Sequence, residues 1–384
     1  MNRRSFLVAS GGCCACLLPR LGRTQTQTEW QPPERFIRPE LATDEGGLWA
    51  LMDREETKLR RSPLSIRDSQ FHGYVQDIAC KLAKSHCADV RVHLVRVPYF
   101  NASMAPNGMM QVWTGLMLRV DNEAQLAAIL GHEIGHYLAR HQLDQLRDSK
   151  SRSAFGQFLG MFGLVGAIGQ LGLLAGMFGY SRDHEREADR IGVTLMRSAG
   201  YDPAESAKVW ANLLLEANAN PEGAGSSLLF ATHPPAEERQ AALAQLAAAN
   251  PGGATNEMLW QERIRPFLGE WLNEEIKRGQ REESIALFTR MIARTPSQPQ
   301  FMYARGEVYR LRAKEGDLEA ATTDFKAAAM LGGEPPETHR GLGMIYRARN
   351  QSPEARASLQ RYLELAPEAP DSSMIKSYVE ELRT

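Results

Sequence analysis

Apolar residues recur at helical spacing from Leu48 to Leu59 and again from Phe71 to Leu82, which predicts two amphipathic entry helices. From Val90 to Val97 the period changes. That run is rich in β-branched residues and largely alternates, so it predicts a strand. Met109 to Thr114 predicts a second, beyond the turn signal Pro106-Asn107-Gly108, and the two together predict a small antiparallel sheet. Helical spacing returns through Leu126, Ile129, Leu130, Ile134 and Leu138, behind Asp121 or Asn122 as the cap. A further helix follows Tyr180-Ser181-Arg182 and runs to about Ala199, closed by Gly200 where a left-handed C-cap is common. Asp202-Pro203-Ala204-Glu205 opens the next, with Asp202 as cap, proline in the first turn and Glu205 completing a capping box.

Beyond Asn250-Pro251-Gly252-Gly253 the pattern changes to a repeat. Gly306, Tyr309, Ala321, Phe325 and Ala328 find counterparts in Gly343, Tyr346, Ala355, Leu359 and Tyr362, and Ser284, Phe288 and Pro296 form a weaker earlier copy. Small residues let the two helices of a repeat approach, and large ones fill the gap between neighbours, so this part resembles the tetratricopeptide arrangement. The fold expected is therefore mainly α: an α+β domain over residues 29–250, with a small antiparallel sheet, then an α-helical repeat domain over 251–384.

Charge adds little and the N-terminus adds more. With 45 basic and 46 acidic side chains, the formal charge of -1 supplies no overall attraction for nucleic acid, and a composition 43% hydrophobic and 24% charged is that of a globular protein. Residues 1–28 read as an export signal: Arg3-Arg4 precedes Phe6-Leu7 and a small, apolar run to Leu18, in the manner of a twin-arginine or a Sec leader. The expected location is the periplasm; Cys13, after two glycines, also admits a lipid-anchored envelope form. Removal of the leader leaves Cys80 and Cys87. They form a local disulfide if the helix around Cys80 ends near Lys84, and stay two buried thiols if it continues. Residues 154–179 carry no charge and a recurring glycine, which admits a packed hairpin or lid over a cleft, peripheral membrane contact, or disorder.

The chemistry lies in His132-Glu133-Ile134-Gly135-His136. Residues four apart share one face of a helix, so both imidazoles reach one zinc ion, while Glu133 approaches the water that ion activates. A catalytic zinc takes three protein ligands and leaves a place for water, so one ligand is still missing. Gln142 stands where a metzincin carries its third histidine. The neighbouring His141 lies well round the helix from the His132/His136 face, and reads as a surface or packing residue. The helix containing Glu185 and Asp189 is the better source: its two carboxylates share a face, one to bind zinc and the other to orient a zinc-binding histidine.

Taken in order, Asn101-Ala102, Trp113-Thr114-Gly115-Leu116, Gly131 to His136 with Arg140-His141, Ser181-Arg182 through Ala188-Asp189, and Thr232-His233-Pro234-Pro235 resemble the exported gluzincin peptidases of the HtpX and BepA type over about residues 45–245. That resemblance implies one Zn2+ per chain held by His132, His136 and Glu185 rather than Glu187, Glu133 as base, and Asp189 behind a ligand. It also implies an active-site role for His233, as a latch on the open zinc position or as a hydrogen-bond donor to the transition state. His184 and Glu187 then read as solvated, and Arg182 and Arg239 as partners in structural ion pairs. Ser103 stands where the family usually has an aromatic, and the strand from Met110 to Thr114 is expected to pair with an extended substrate. The implied activity is a zinc endopeptidase of the periplasm acting on misfolded or misassembled polypeptides, with a protein partner docked on the repeats. The alternative is a chaperone or assembly factor that works mainly through the repeats, its protease latent.

Overall fold

Thr43 and Asp68 open the first two helices, each accepting a backbone N–H through its side chain: Thr43 from Gly46 ahead of α1 (Asp44–Arg61), and Asp68 from Phe71 ahead of α2 (Ser69–Ala83). The computed structural model describes residues 30–148, 180–220, 233, 237–249 and 251–382. Residues 33–384 cluster as one unit, and every helix and strand named belongs to it. The expected export signal and the glycine-rich stretch 154–179 lie outside the described residues. No helix among the described residues is long and apolar enough to cross a membrane.

Lys84 ends α2 in a left-handed conformation, φ 50°, and a 3-10 turn (Lys84–His86) carries the chain back over itself. Cys80 and Cys87 are thereby brought to a Cα separation of 4.5 Å and joined as a disulfide. Of the two outcomes the sequence left open, the helix end at Lys84 selects the bonded one.

The sheet differs from expectation. Its strands are β1 (Arg91–Val95), β2 (Ala102–Met104) and β3 (Met109–Trp113), in the order β1-β3-β2. β3 pairs antiparallel with β2 across Pro106-Asn107-Gly108 but parallel with β1, so the sheet is mixed. The expected antiparallel partner of β3 is thus the three-residue Ala102–Met104, too short to show an alternation in sequence. Gly108 is required at the turn: its φ is 87°, and a Cβ there would lie 2.1 Å from the Asp89 carbonyl oxygen. β3 occupies the centre with a neighbour on each side, so the Met110–Thr114 stretch expected to receive substrate has no free edge. On the outer side of β1, Ile66 donates to Leu94 O and Arg96 donates to Leu64 O. Among the described residues the outer side of β2 carries no strand, but Ala102 and Met104 are buried there and Met104 O accepts from Gln142 Nε2.

After β3 come α3 (Thr114–Arg119), α4 (Glu123–Leu138), α5 (His141–Asp148), α6 (Arg182–Ser198), α7 (Ala204–Ala219) and α8 (Glu237–Ala248). Asn122 caps α4 by accepting from Gln125 N, and every residue of this helix is buried, polar ones included. The capping box expected at α7 does not close. Asp202 accepts from Ala204 N, but Glu205 instead takes the side-chain amides of Asn122 and Gln125, tying the start of α7 to the start of α4.

The C-terminal region is a succession of helices: α9 (Glu257–Arg278), α10 (Arg281–Arg294), α11 (Pro299–Arg312), α12 (Asp317–Leu331), α13 (Glu337–Ala348), α14 (Ser352–Leu365) and α15 (Ser372–Glu381). In two successive pairs a glycine sits beneath a large side chain, Gly306 against Phe325 and Gly343 against Leu359, matching the correspondence seen in the sequence. Helix α9 follows the expected boundary yet packs on the first half. Phe267 and Trp271 surround Phe71 of α2, and Trp260 donates to the Val120 carbonyl.

A buried charge cluster reinforces that junction. Arg119 of α3 donates to Glu216 of α7 and to Glu275 of α9, while Arg278 and Ser284 also donate to Glu275. Burial alone would raise the Glu275 carboxyl, but Arg119 and Arg278 hold it down at about 2. A depressed carboxylate stabilises the fold fully above its ordinary value near 4.5 and loses that contribution as pH falls towards 2. The shift corresponds to about 3 kcal/mol. Glu275→Gln, which takes one of two carboxylate partners from each of Arg119 and Arg278 while leaving Glu216 and Glu283, is expected to cost about 3 kcal/mol at neutral pH and to flatten the loss of stability between pH 4.5 and 2. Denaturant titrations of both proteins across that range check it.

Candidate metal centre

Helices α4 and α6 cross at backbone contact. A Cβ on Gly135 would lie 2.9 Å from Ala188 O, and one on Gly192 would lie 3.0 Å from His132 N. This approach brings the His132/His136 face of α4 against the Glu185/Asp189 face of α6. Ser181 starts α6 by accepting from His184 N, which sets the acidic pair in register.

Four side chains converge there. The Nε2 atoms of His132 and His136 are 3.1 Å apart; Glu185 Oε2 lies 3.5 Å from the first, and Glu185 Oε1 lies 3.4 Å from the second. His233 Nδ1 is 3.2 Å from His132 Nε2 and 2.8 Å from Glu185 Oε1. All four are buried, with ligand atoms within 4.8 Å of one another. A tetrahedral zinc with bonds of 2.0–2.1 Å separates its ligand atoms by about 3.3 Å, close to these spacings.

The hydrogen bonds behind the rings show what the front must hold. His132 Nδ1 lies 2.9 Å from Asp189 Oδ1, and an ionised carboxylate accepts, so that nitrogen carries the proton. His132 Nε2 is then a bare lone pair. His136 Nδ1 is likewise engaged, 2.9 Å from His141 Nδ1. With protons on both Nδ1 atoms, two lone pairs face each other at 3.1 Å beside a carboxylate, an arrangement that a cation between them makes favourable. Burial drives the His136 ring well below its ordinary pKa, which leaves it in the neutral form a metal requires.

Glu133 lies beside this group. Among the described residues its Oε1 has no hydrogen-bond partner, and His233 Nε2 lies 3.6 Å away. Burial pushes its carboxyl up, against the pull of His233 and His132. Burial would lower His233, but Glu185 and Glu133 hold it up, so this pocket is short of positive charge.

Several expectations require correction. His141 is not a surface residue: it is 2% exposed and touches His136. A continuing helix would have carried it outward. Arg140 instead adopts φ 59°, pinned by Glu45 and by the Phe36 ring, and folds the chain back. His184 is half-buried rather than solvated, stacked on His141 at 4.2 Å, and half-buried Glu187 faces the same ring. Arg239 does make ion pairs, but within the site: to Asp189 at 2.7 Å and Glu185 at 2.5 Å, stacked over Trp210. Arg182 stays exposed. Tyr180, not singled out from the sequence, stacks on His136 at 3.8 Å; an aromatic beside Ser181 was the available signal.

Residues 65–247 match the model of Peptidase family M48. The chain is 31% identical to the mitochondrial metalloendopeptidase OMA1 of Arabidopsis thaliana over 172 residues, 44% of this chain and 34% of that protein. To the protein of the same name from Schizosaccharomyces pombe it is 33% identical over 164 residues, 41% and 47% of the two chains. To the beta-barrel assembly-enhancing protease of Escherichia coli K12 it is 30% identical over 204 residues, 48% and 40%. The chain thus spans about a third to a half of the length of these curated relatives. The matched segment contains the whole buried His132, His136, Glu185 and His233 group, which suits a metal ion.

Because the ligand spacing depends on the glycine crossing, Gly192→Val is expected to part α4 from α6. It should weaken binding of a divalent metal by about tenfold or more while costing about 1–3 kcal/mol of stability. Chelator competition and thermal melting measure the two; unchanged metal affinity would mean the crossing does not set the site.

Proposed function

We propose, with a metallopeptidase segment over 65–247 as the premise, that the chain is a zinc-dependent endopeptidase of the cell envelope. It would cut misfolded or misassembled polypeptides, and it rests latent. The observation that carries this reading is the pair of bare Nε2 atoms facing each other beside Glu185. His132, His136 and Glu185 would hold one Zn2+. A zinc ion there would polarise a peptide carbonyl and acidify the attacking water.

Glu133, whose Oε1 has no hydrogen-bond partner among the described residues, would take the proton from the attacking water and hand it to the leaving amine. The upward pull of burial on this carboxyl suits the second transfer. Asp189 fixes the His132 ring from behind, and Arg239 fixes Asp189. The outer side of β2 carries no strand among the described residues, so an extended substrate would pair there, a mode that asks little of side chains, once Gln142 releases Met104 O. Half-buried Ser103, in place of an aromatic, then leaves a shallower contact at that edge.

His233 supports latency: it occupies the fourth place of the donor group, where a working zinc site keeps water. The same closure favours a second reading, an assembly factor whose helices 257–381 hold a protein partner while proteolysis stays off; one relative's name, beta-barrel assembly-enhancing protease, joins the two activities. The paired helices support the tetratricopeptide assignment, and the Arg3-Arg4 leader supports export to the periplasm.

The test is zinc analysis and cleavage of an unfolded, carboxymethylated model protein. Wild type is expected to carry one zinc per chain. Glu133→Gln should keep the metal and lose cleavage by about a hundredfold or more. His233→Ala should cleave faster than wild type. A zinc-free wild type would sink the metal reading, and a slower His233→Ala would remove the latch.

A further inference from the structure

Resting on the zinc reading above, we infer that His141 and Glu187 form a second support behind the metal centre: a positioning pair that fixes which nitrogen of His136 faces the ion.

Its geometry is a chain of three groups. His136 Nδ1 lies 2.9 Å from His141 Nδ1, and the far nitrogen of His141, Nε2, lies 3.5 Å from Glu187 Oε2. One proton assignment satisfies both contacts. The Glu187 carboxylate accepts from His141 Nε2–H, which leaves His141 Nδ1 a lone pair; that lone pair accepts from His136 Nδ1–H, and His136 Nε2 is left bare towards Glu185. The reverse assignment would turn a lone pair of His141 Nε2 towards the Glu187 carboxylate and put the proton on His136 Nε2, the nitrogen that must be bare to bind the ion. The His141 ring has little freedom to swing elsewhere, since His184 stacks on it at 4.2 Å and it is 2% exposed. Arg140, in its left-handed conformation, is the backbone device that delivers the ring to this place.

The two ligand histidines are therefore supported differently. His132 leans on a carboxylate directly, whereas His136 leans on a neutral imidazole with the carboxylate one residue further out. Charge explains the difference. Arg239 and a divalent ion together balance Glu133, Glu185 and Asp189, so a fourth carboxylate against His136 would bury an unbalanced charge. An imidazole spacer supplies the acceptor and moves the extra negative charge to Glu187, whose side chain is 45% exposed.

The variants are His141→Leu, which removes the acceptor, His141→Gln, which keeps one, and Glu187→Gln. Two readouts are independent of activity: zinc affinity by chelator competition, and the tautomer of His136 from nitrogen-15 spectra of the zinc-free protein. Outer partners of ligand histidines are typically worth about 10–100-fold in metal affinity. His141→Leu is expected to lose that much, His141→Gln to recover most of it, and Glu187→Gln to lose a few-fold. In zinc-free wild type, His136 should carry its proton on Nδ1, and His141→Leu should shift it to a mixture. A proton on Nε2 in wild type, or His141→Leu binding zinc within twofold of wild type, would overturn the pair. If wild type bound no zinc while the tautomer followed expectation, the zinc reading would fail and the positioning pair would stand.

Discussion

The contact on which the rest depends is backbone against backbone. Where α4 crosses α6, Gly131, Gly135 and Gly192 leave no side chain between the helices, and Ala188 meets Gly135 directly. Only this separation lets short carboxylates on one helix reach imidazoles on the other, so that four donors close within 4.8 Å. Everything further out serves to hold the donors in that small volume. Asn122 and Glu205 register the start of α4 against α7, Asp189 and Arg239 brace one ring, and Arg140 turns the chain so that another ring is braced in turn.

Much of this was legible because it obeys helical periodicity. His132, Glu133 and His136 announce themselves by spacing, and Glu185 with Asp189 by a shared face, so the parts on α4 and α6 could be named before any geometry was known. His141 could not. Its reading relied on the helix continuing, and a non-glycine residue at φ 59° has no reliable sequence signature. Strand β2 was missed for a related reason, since three residues are too few to display a period. Its absence from the expectation made the sheet antiparallel and placed substrate on β3, the one strand flanked by strands on both sides. The disulfide was decided by another left-handed residue, Lys84.

The polar interior is unusual in its distribution. One buried cluster surrounds the donor group, and a second, built on Arg119, Glu216 and Glu275, lies where α3, α7 and α9 meet. Ion pairs so deep repay their desolvation only when geometry is held. In both clusters the holding is done by bidentate or stacked arginines: Arg239 grips Asp189 through two nitrogens over Trp210, and Arg278 grips Glu275 through two. The first cluster holds the donor group in place. The second fixes the approach of one set of helices to another.

Helix α9 carries a further meaning. The stretch that matches a peptidase family ends at residue 247, yet Trp260, Phe267 and Trp271 complete the apolar wall around Phe71. Similarity and cohesion therefore end at different places. A chain cut at the glycines 252 and 253 would separate what looks modular in sequence and expose a seam of aromatic surface on both pieces, whereas a cut after Gly279 would leave that wall whole. The aromatic cover of Phe71 therefore travels with the matched segment only when α9, the first helix of the C-terminal array, goes with it.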